Sequence, residues 1–145
     1  MSTLRQVVRG SLWVGAGGVA MLVAGCAGMP SHGGTITLSG SQQVPPVTTA
    51  ATGTSDISAN GYRSIFGSVT TSGVVGTAAH IHVGAVGKTG GVAVPLTKKG
   101  DNMWVVPPNT TLSEAQYNAY LNGELYVNVH SDKNKPGELR GQVKW

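Results

Sequence analysis

Glu124 to Trp145 read ELYVNVHSDKNKPGELRGQVKW. Successive side chains of an extended chain point to opposite faces, so Leu125, Val127 and Val129 share one side and Tyr126, Asn128 and His130 the other. The parity resumes after the polar SDKNKP loop, where Leu139 and Val143 oppose Glu138, Arg140 and Gln142. Pro136-Gly137 marks the return of the chain. The two runs predict an antiparallel hairpin with an apolar core face, a polar face, and His130 at its mouth near Glu138.

Upstream, threonine, valine, isoleucine and glycine dominate from Thr35 onward in short alternating runs broken by turn signals, the pattern of a sandwich or barrel rather than of helices. TITLSG (35–40) is the first expected strand, and Pro45-Pro46 confine QQVPPV to an edge or a corner. GTSDISA and YRSIFGSVTTS flank Asn60-Gly61, a dipeptide suited to the positive φ angles of a type I′ turn, and predict a second hairpin. HIHV and GGVAVPL predict two strands joined by GAVGKTG, and MWVV (103–106) predicts another, closed by Pro107-Pro108. One helix is expected in TTLSEAQYNAYLNG, where Thr111 and Glu114 match a capping box, Leu112, Ala115, Tyr117 and Leu121 share a face, and Gly123 supplies the stop.

The N-terminus has a different character. MSTLRQVVRG carries Arg5 and Arg9 with no acid, and the apolar run from Ser11 to Gly25 is too short and glycine-rich for a span of about 20 residues. It predicts a cleaved signal peptide. LVAGC places Ala24 and Gly25 before the chain's only cysteine and resembles the lipobox of bacterial lipoproteins, in which the cysteine is acylated and the preceding peptide removed. The expected organisation is a signal peptide at 1–25, a flexible tether at 26–34 and a single domain at 35–145. Cys26 is the expected lipidation site, holding the protein to a membrane of the bacterial cell envelope; Ala27, in place of an aspartate, points to the outer membrane or periplasm. Cleavage removes Arg5 and Arg9, so the formal charge falls from +4 to +2, and no Lys/Arg cluster beyond Lys98-Lys99 and KNK near Lys133 supports nucleic-acid binding. With Cys26 committed to lipid, about 120 residues must hold together by a hydrophobic core alone.

AAHIHVGAVGKTGG (78–91) offers two chemistries. GAVGKT suggests the tail of a phosphate-binding loop, but such a cradle needs four residues between its first glycine and the Gly-Lys pair, and a helix after it. Here only two residues separate Gly84 from Gly87 and a strand-like run follows, so Lys88 and Thr89 read as turn residues. HIH is the better motif: His80 and His82 share a strand face, with Ile81 and Val83 on the other. Whether that strand neighbours the hairpin carrying His130 is left open by the sequence. Tyr62, Trp104 and Trp145 read as core or rim packing.

Three elements together resemble the CHRD domain, the module named after chordin and also found in bacterial envelope proteins. They are AHIH with Gly84 (Ala79 to His82), LYVNVHS (Leu125 to Ser131), and Gly137-Glu138 with Arg140-Gly141. The likeness runs from about Ile36 to Val143 and includes the LSGSQQVPPV opening. It implies an all-β fold, an antiparallel β-sandwich of immunoglobulin-like or superoxide-dismutase-like type with one short helix, and says little about function. The tandem arrangement of chordin is absent, so growth-factor antagonism does not transfer.

An H-x-H pair with a later strand histidine is also similar to the ligand pattern of copper-zinc superoxide dismutase. That enzyme needs further zinc ligands and a disulfide, and the four histidines here are exhausted once His32 is placed in the tether, which makes a copper-dependent redox enzyme the weaker alternative. A mononuclear site of His80, His82 and His130 suits copper or zinc, with Glu138 as a fourth ligand or an outer acceptor. The competing reading is a hydrogen-bonded His/Glu/Arg network fixing sheet register in a structural or protein-interaction module. The expected role is binding, of a metal or a protein, rather than catalysis.

Overall fold

The computed structural model describes residues 33–145; the signal-peptide segment, Cys26 and His32 lie outside them. The chain begins with β1 (Ile36–Ser39) and a 3-10 turn (Gly40–Gln42), followed by β2 (Thr52–Ser55), β3 (Ser58–Ala59), β4 (Ile65–Phe66) and β5 (Ser68–Ser72). Then come β6 (Gly76–Val83), β7 (Val92–Pro95), β8 (Thr97–Gly100), β9 (Met103–Val105) and the helix α1 (Glu114–Leu121). The hairpin of β10 (Leu125–Ser131) and β11 (Leu139–Gln142) ends the fold. No helix among these residues is long and apolar enough to cross a membrane.

All pairings are antiparallel, and nine strands form one sheet in the order β7-β6-β10-β11-β1-β2-β5-β9-β8; β3 and β4 pair separately. The terminal strands β7 and β8 are joined by Leu96 alone. Two Cα–Cα steps span about 7 Å, so the ends of the sheet must meet. The Leu96 N–H donates to the Ala79 carbonyl of β6 (3.0 Å), and Lys98 Nζ donates to the Gly76 carbonyl (2.8 Å). The architecture is therefore a nearly closed barrel, and the expected stack of two sheets is corrected to one rolled sheet. Its interior takes the apolar alternates the sequence offers: Leu38, Val69, Ile81, Leu125, Val127, Val129 and Leu139 are all fully buried.

Three local expectations shift. The Asn60-Gly61 hairpin exists, but its turn is longer than two residues: Asn60 N–H donates to Ser64 O, Arg63 N–H donates to Asn60 O, and Arg63 takes the positive φ of 64°. The helix cap is Ser113 with Gln116, not Thr111 with Glu114, because Thr111 is bridged to Ser64 and the buried Leu112 donates its N–H to Arg63 O, keeping the chain extended. The buried face of α1 is accordingly Ala119 and Tyr120, while Ala115 and Leu121 are exposed; Gly123, at φ 70°, does terminate it. Strand β8 was not expected, since all four of its residues are exposed and it has no buried alternate to reveal it.

The faces have a direct test. Val127 is 0% exposed, so Val127→Asp buries a charge with no partner and should cost several kcal/mol, enough to prevent folding. Lys133→Ala, on the exposed loop, should change stability by less than about 0.5 kcal/mol. Equal melting temperatures for the two variants would contradict the assignment.

Candidate metal centre

His80 and His82 stand on β6, whose alternate residues Ala79 and Ile81 point into the core. Strand β6 lies directly beside β10, with His80 opposite Asn128, His82 opposite Tyr126 and Ala78 opposite His130. His130 is thus the diagonal neighbour of His80, a separation that long side chains bridge. The ring centroids are 4.9 Å apart for His80 and His130, 5.7 Å for His80 and His82, and 6.3 Å for His82 and His130. One ligand nitrogen from each of the three imidazoles lies within 4.8 Å of the others. The sheet register supplies the adjacency that the sequence left open.

This polar face is the outside of the barrel, yet it is not a solvent face: Tyr126, Asn128, Glu138 and Arg140 are all buried. The β6–β7 loop folds over it, with Gly84 O accepting from Gln142 Nε2 (2.8 Å) and Ala85 O accepting from Arg140 Nη2 (3.1 Å). The segment after the 3-10 turn covers the other side, where Gln43 Nε2 donates to Asn128 Oδ1 (2.7 Å) and Asn128 Nδ2 donates to Pro136 O (3.0 Å). A cavity of about 310 Å³ remains between the two covers, walled in part by His82, His130, Asn128 and Arg140.

Backbone carbonyls fix the ring tautomers, because a carbonyl can only accept. His82 Nδ1 lies 2.9 Å from Gly90 O and His130 Nδ1 lies 2.8 Å from Lys135 O, so each Nδ1 carries the proton and each Nε2 of the neutral ring presents a lone pair. Gly90 must be glycine for this: a Cβ there would collide with the Val83 carbonyl. His130 Nε2 accepts from His80 Nδ1 at 3.0 Å. His82 Nε2 is buried and has no partner.

Electrostatics favour neutral imidazoles. Burial, followed by the neighbouring His130 and His82, holds His80 below the ordinary 6.5. Burial likewise lowers His82, opposed by its bond to Gly90 and aided by His130 and Arg140. Tyr126 lies against both groups: its ring is stacked on His82 (5.0 Å, 9°) and faces the Arg140 guanidinium at 3.6 Å. Because β6 and β11 flank β10, imidazole, phenol and guanidinium form a three-layer stack.

Glu138, the expected fourth ligand, stands outside the histidine cluster. Its Oε1 accepts from Thr49 Oγ1 (2.7 Å) and its Oε2 from Ser131 Oγ (2.5 Å). Burial alone would raise its pKa, but the hydrogen bonds from Ser131, Thr49 and Asn134 outweigh that and hold it below the usual carboxylate range. Its role here is to fasten the β10–β11 loop. Parity had already set Tyr126 and Arg140 on the histidine face, whereas the carbonyls of Gly90 and Lys135 carry no side-chain signature at all.

The chain matches the CHRD domain over residues 34–143. No curated protein and no solved structure matches it.

The lowered histidines set a pH dependence. In the unfolded chain both imidazoles return to about 6.5 and take up protons first as the pH falls. The stability they contribute is therefore complete above 6.5 and is lost as the pH drops through their lowered folded values. The melting temperature of metal-stripped protein should fall between about pH 7 and pH 5, and the double variant His80→Gln, His82→Gln should flatten that slope. A wild-type melting temperature constant over this window would rule out the neutral pair.

Proposed function

The chain belongs to the CHRD-domain family, and from that premise we propose that it is a binding module for a divalent transition metal, copper or zinc, held by His80, His82 and His130. The observation that carries this reading is the buried His82 Nε2, whose lone pair has no donor, on a ring that shares a three-histidine cluster with His80 and His130. Leaving such a group unmade costs about 1–3 kcal/mol, which an ion would recover. The second support is orientation: His82 and His130 are each locked by a carbonyl behind the ring, the arrangement that metal-binding imidazoles need. The 3.0 Å between His80 Nδ1 and His130 Nε2 suits either a hydrogen bond or two ligands about 2.0–2.1 Å from one ion. To serve as a ligand through Nδ1, His80 must move its proton to Nε2. A bound ion would supply a Lewis-acidic charge at the wall of the cavity.

The competing reading is a metal-free network that fixes the β6–β10 register, favoured by the His80–His130–Lys135 chain of hydrogen bonds. Titration calorimetry on protein purified without a histidine tag separates the two. The metal reading expects one equivalent of Cu(II) or Zn(II) bound more tightly than about 10 micromolar, with affinity falling as the pH drops through the lowered values of His80 and His82, because protonated imidazoles cannot coordinate. His82→Ala should weaken binding by a large factor and His32→Ala should not. A wild-type protein that takes up neither metal at that level, and whose histidine variants only melt earlier, is a structural network.

We further propose that the mature protein is attached to the bacterial envelope through lipid on Cys26 and acts by binding rather than by catalysis. LVAGC supports the attachment. Cys26→Ser should leave an unprocessed precursor that no longer incorporates labelled fatty acid. Incorporation that persists in this variant would refute the anchor.

A further inference from the structure

We propose that the cavity beside His82 and His130 takes a small organic carboxylate, whose carboxylate group pairs with the guanidinium of Arg140. The inference starts from a charge without a counter-ion. Arg140 is 2% exposed and lines the cavity, and a guanidinium keeps its proton in a protein. Only its Nη2 is engaged, by Ala85 O at 3.1 Å and Gln142 Oε1 at 3.3 Å, both neutral acceptors. Nε and Nη1 have no hydrogen-bond partner. Burial pulls the guanidinium down from its ordinary value, opposed among the described residues by Tyr126. No carboxylate among the described residues does so. Glu138, two residues away, is committed to Thr49 and Ser131 on the loop side.

Buried charges in proteins are paired, and the unpaired one here opens on a space able to hold the partner. The chemistry of the cavity narrows the class of that partner. The planar fork of an arginine matches a carboxylate. Val44, Pro45, Val47 and Pro136 contribute apolar wall, which suits carbon rather than a bare inorganic anion. At about 310 Å³ the space is at the small end of ligand pockets. His82 and His130 line the same cavity, and the Tyr126 ring lies against both His82 and the Arg140 guanidinium, so a molecule paired with Arg140 would sit in one space with the histidines. This site rests on Arg140 and stands whether or not the histidines hold a metal.

The test uses protein stripped of metal on a chelating resin and titrated with succinate, with its neutral diamide and with sulfate. Calorimetry is read together with the Arg140 Nε–Hε signal in the NMR spectrum. Succinate should bind with a Kd tighter than about 10 mM and move that signal, the diamide should do neither, and sulfate should bind more weakly. Arg140→Lys should weaken succinate at least about tenfold and Arg140→Gln should abolish it. Should Arg140→Gln fail to fold, the comparison of succinate with the diamide on the wild type decides alone. Absence of succinate binding, equal binding of the diamide, or tighter binding of sulfate would overturn the inference. Repeating the titration with one equivalent of Zn(II) separates it from the metal reading: succinate binding that appears only with zinc and survives Arg140→Gln overturns it. Succinate binding by a protein that takes up no zinc sustains it while removing the metal.

Discussion

The rest of this structure depends on the one residue between β7 and β8. A nine-stranded sheet has two edges, each a row of unpaired backbone groups. Here the chain leaves one edge and enters the other within Leu96, and the Leu96 N–H is spent on β6. The sheet is thereby forced to roll, as strand twist already favours. The alternating side chains then divide into a filled interior and an outer surface. The same closure fixes β6 between β7 and β10, and so brings the H-x-H pair beside the strand that carries His130.

The outside of a small barrel ordinarily faces water, and its polar residues need no partners within the protein. Two covers change that here, and once buried the polar groups must be bonded. Most are: Asn128 joins Gln43 to Pro136 O, Glu138 joins Thr49 to Ser131, and Gln142 holds the carbonyls of both Gly84 and Gly123. Against this background of satisfied groups, His82 Nε2, which has no partner, and the Arg140 guanidinium, which is bonded only to neutral acceptors, stand out, and both residues line one cavity. The other buried side-chain nitrogen without a partner among the described residues, Trp104 Nε1, sits near Gly76 and Val129 in the core and does not line this cavity.

Parity along a strand is a local property, and what it governs was legible: the apolar and polar faces of β10 and β11, the pairing of His80 with His82, and the shared side of Tyr126 and Arg140. Closure is not local. Nothing in VAVPLTKKG distinguishes a chain that turns back from one that crosses between sheet edges, and β8 lacks a buried alternate to mark it as a strand. The capping boxes at Thr111 and Ser113 are equally good as sequence, and the choice between them was made by Leu112, which is buried from another part of the chain. The bond from Thr49 to Glu138 was not legible, since Thr49 approaches it from 89 residues away. The family likeness recognised in the sequence holds for residues 34–143, while its implied sandwich gives way to a barrel.

Each of the two locked histidines takes its orienting carbonyl from the loop that its own strand leads into: His82 from Gly90, eight residues on, and His130 from Lys135, five residues on. Ring and loop are therefore a single gauge, in which chain length sets imidazole angle. Surface loops ordinarily absorb insertions and deletions across evolution. In these two, an added or missing residue would rotate a histidine while leaving the barrel intact, so lineages that keep the site should hold both lengths constant. The turn from Asn60 to Ser64 orients nothing in the cluster, and its length answers instead to the bridge with Thr111 and the bond to Leu112.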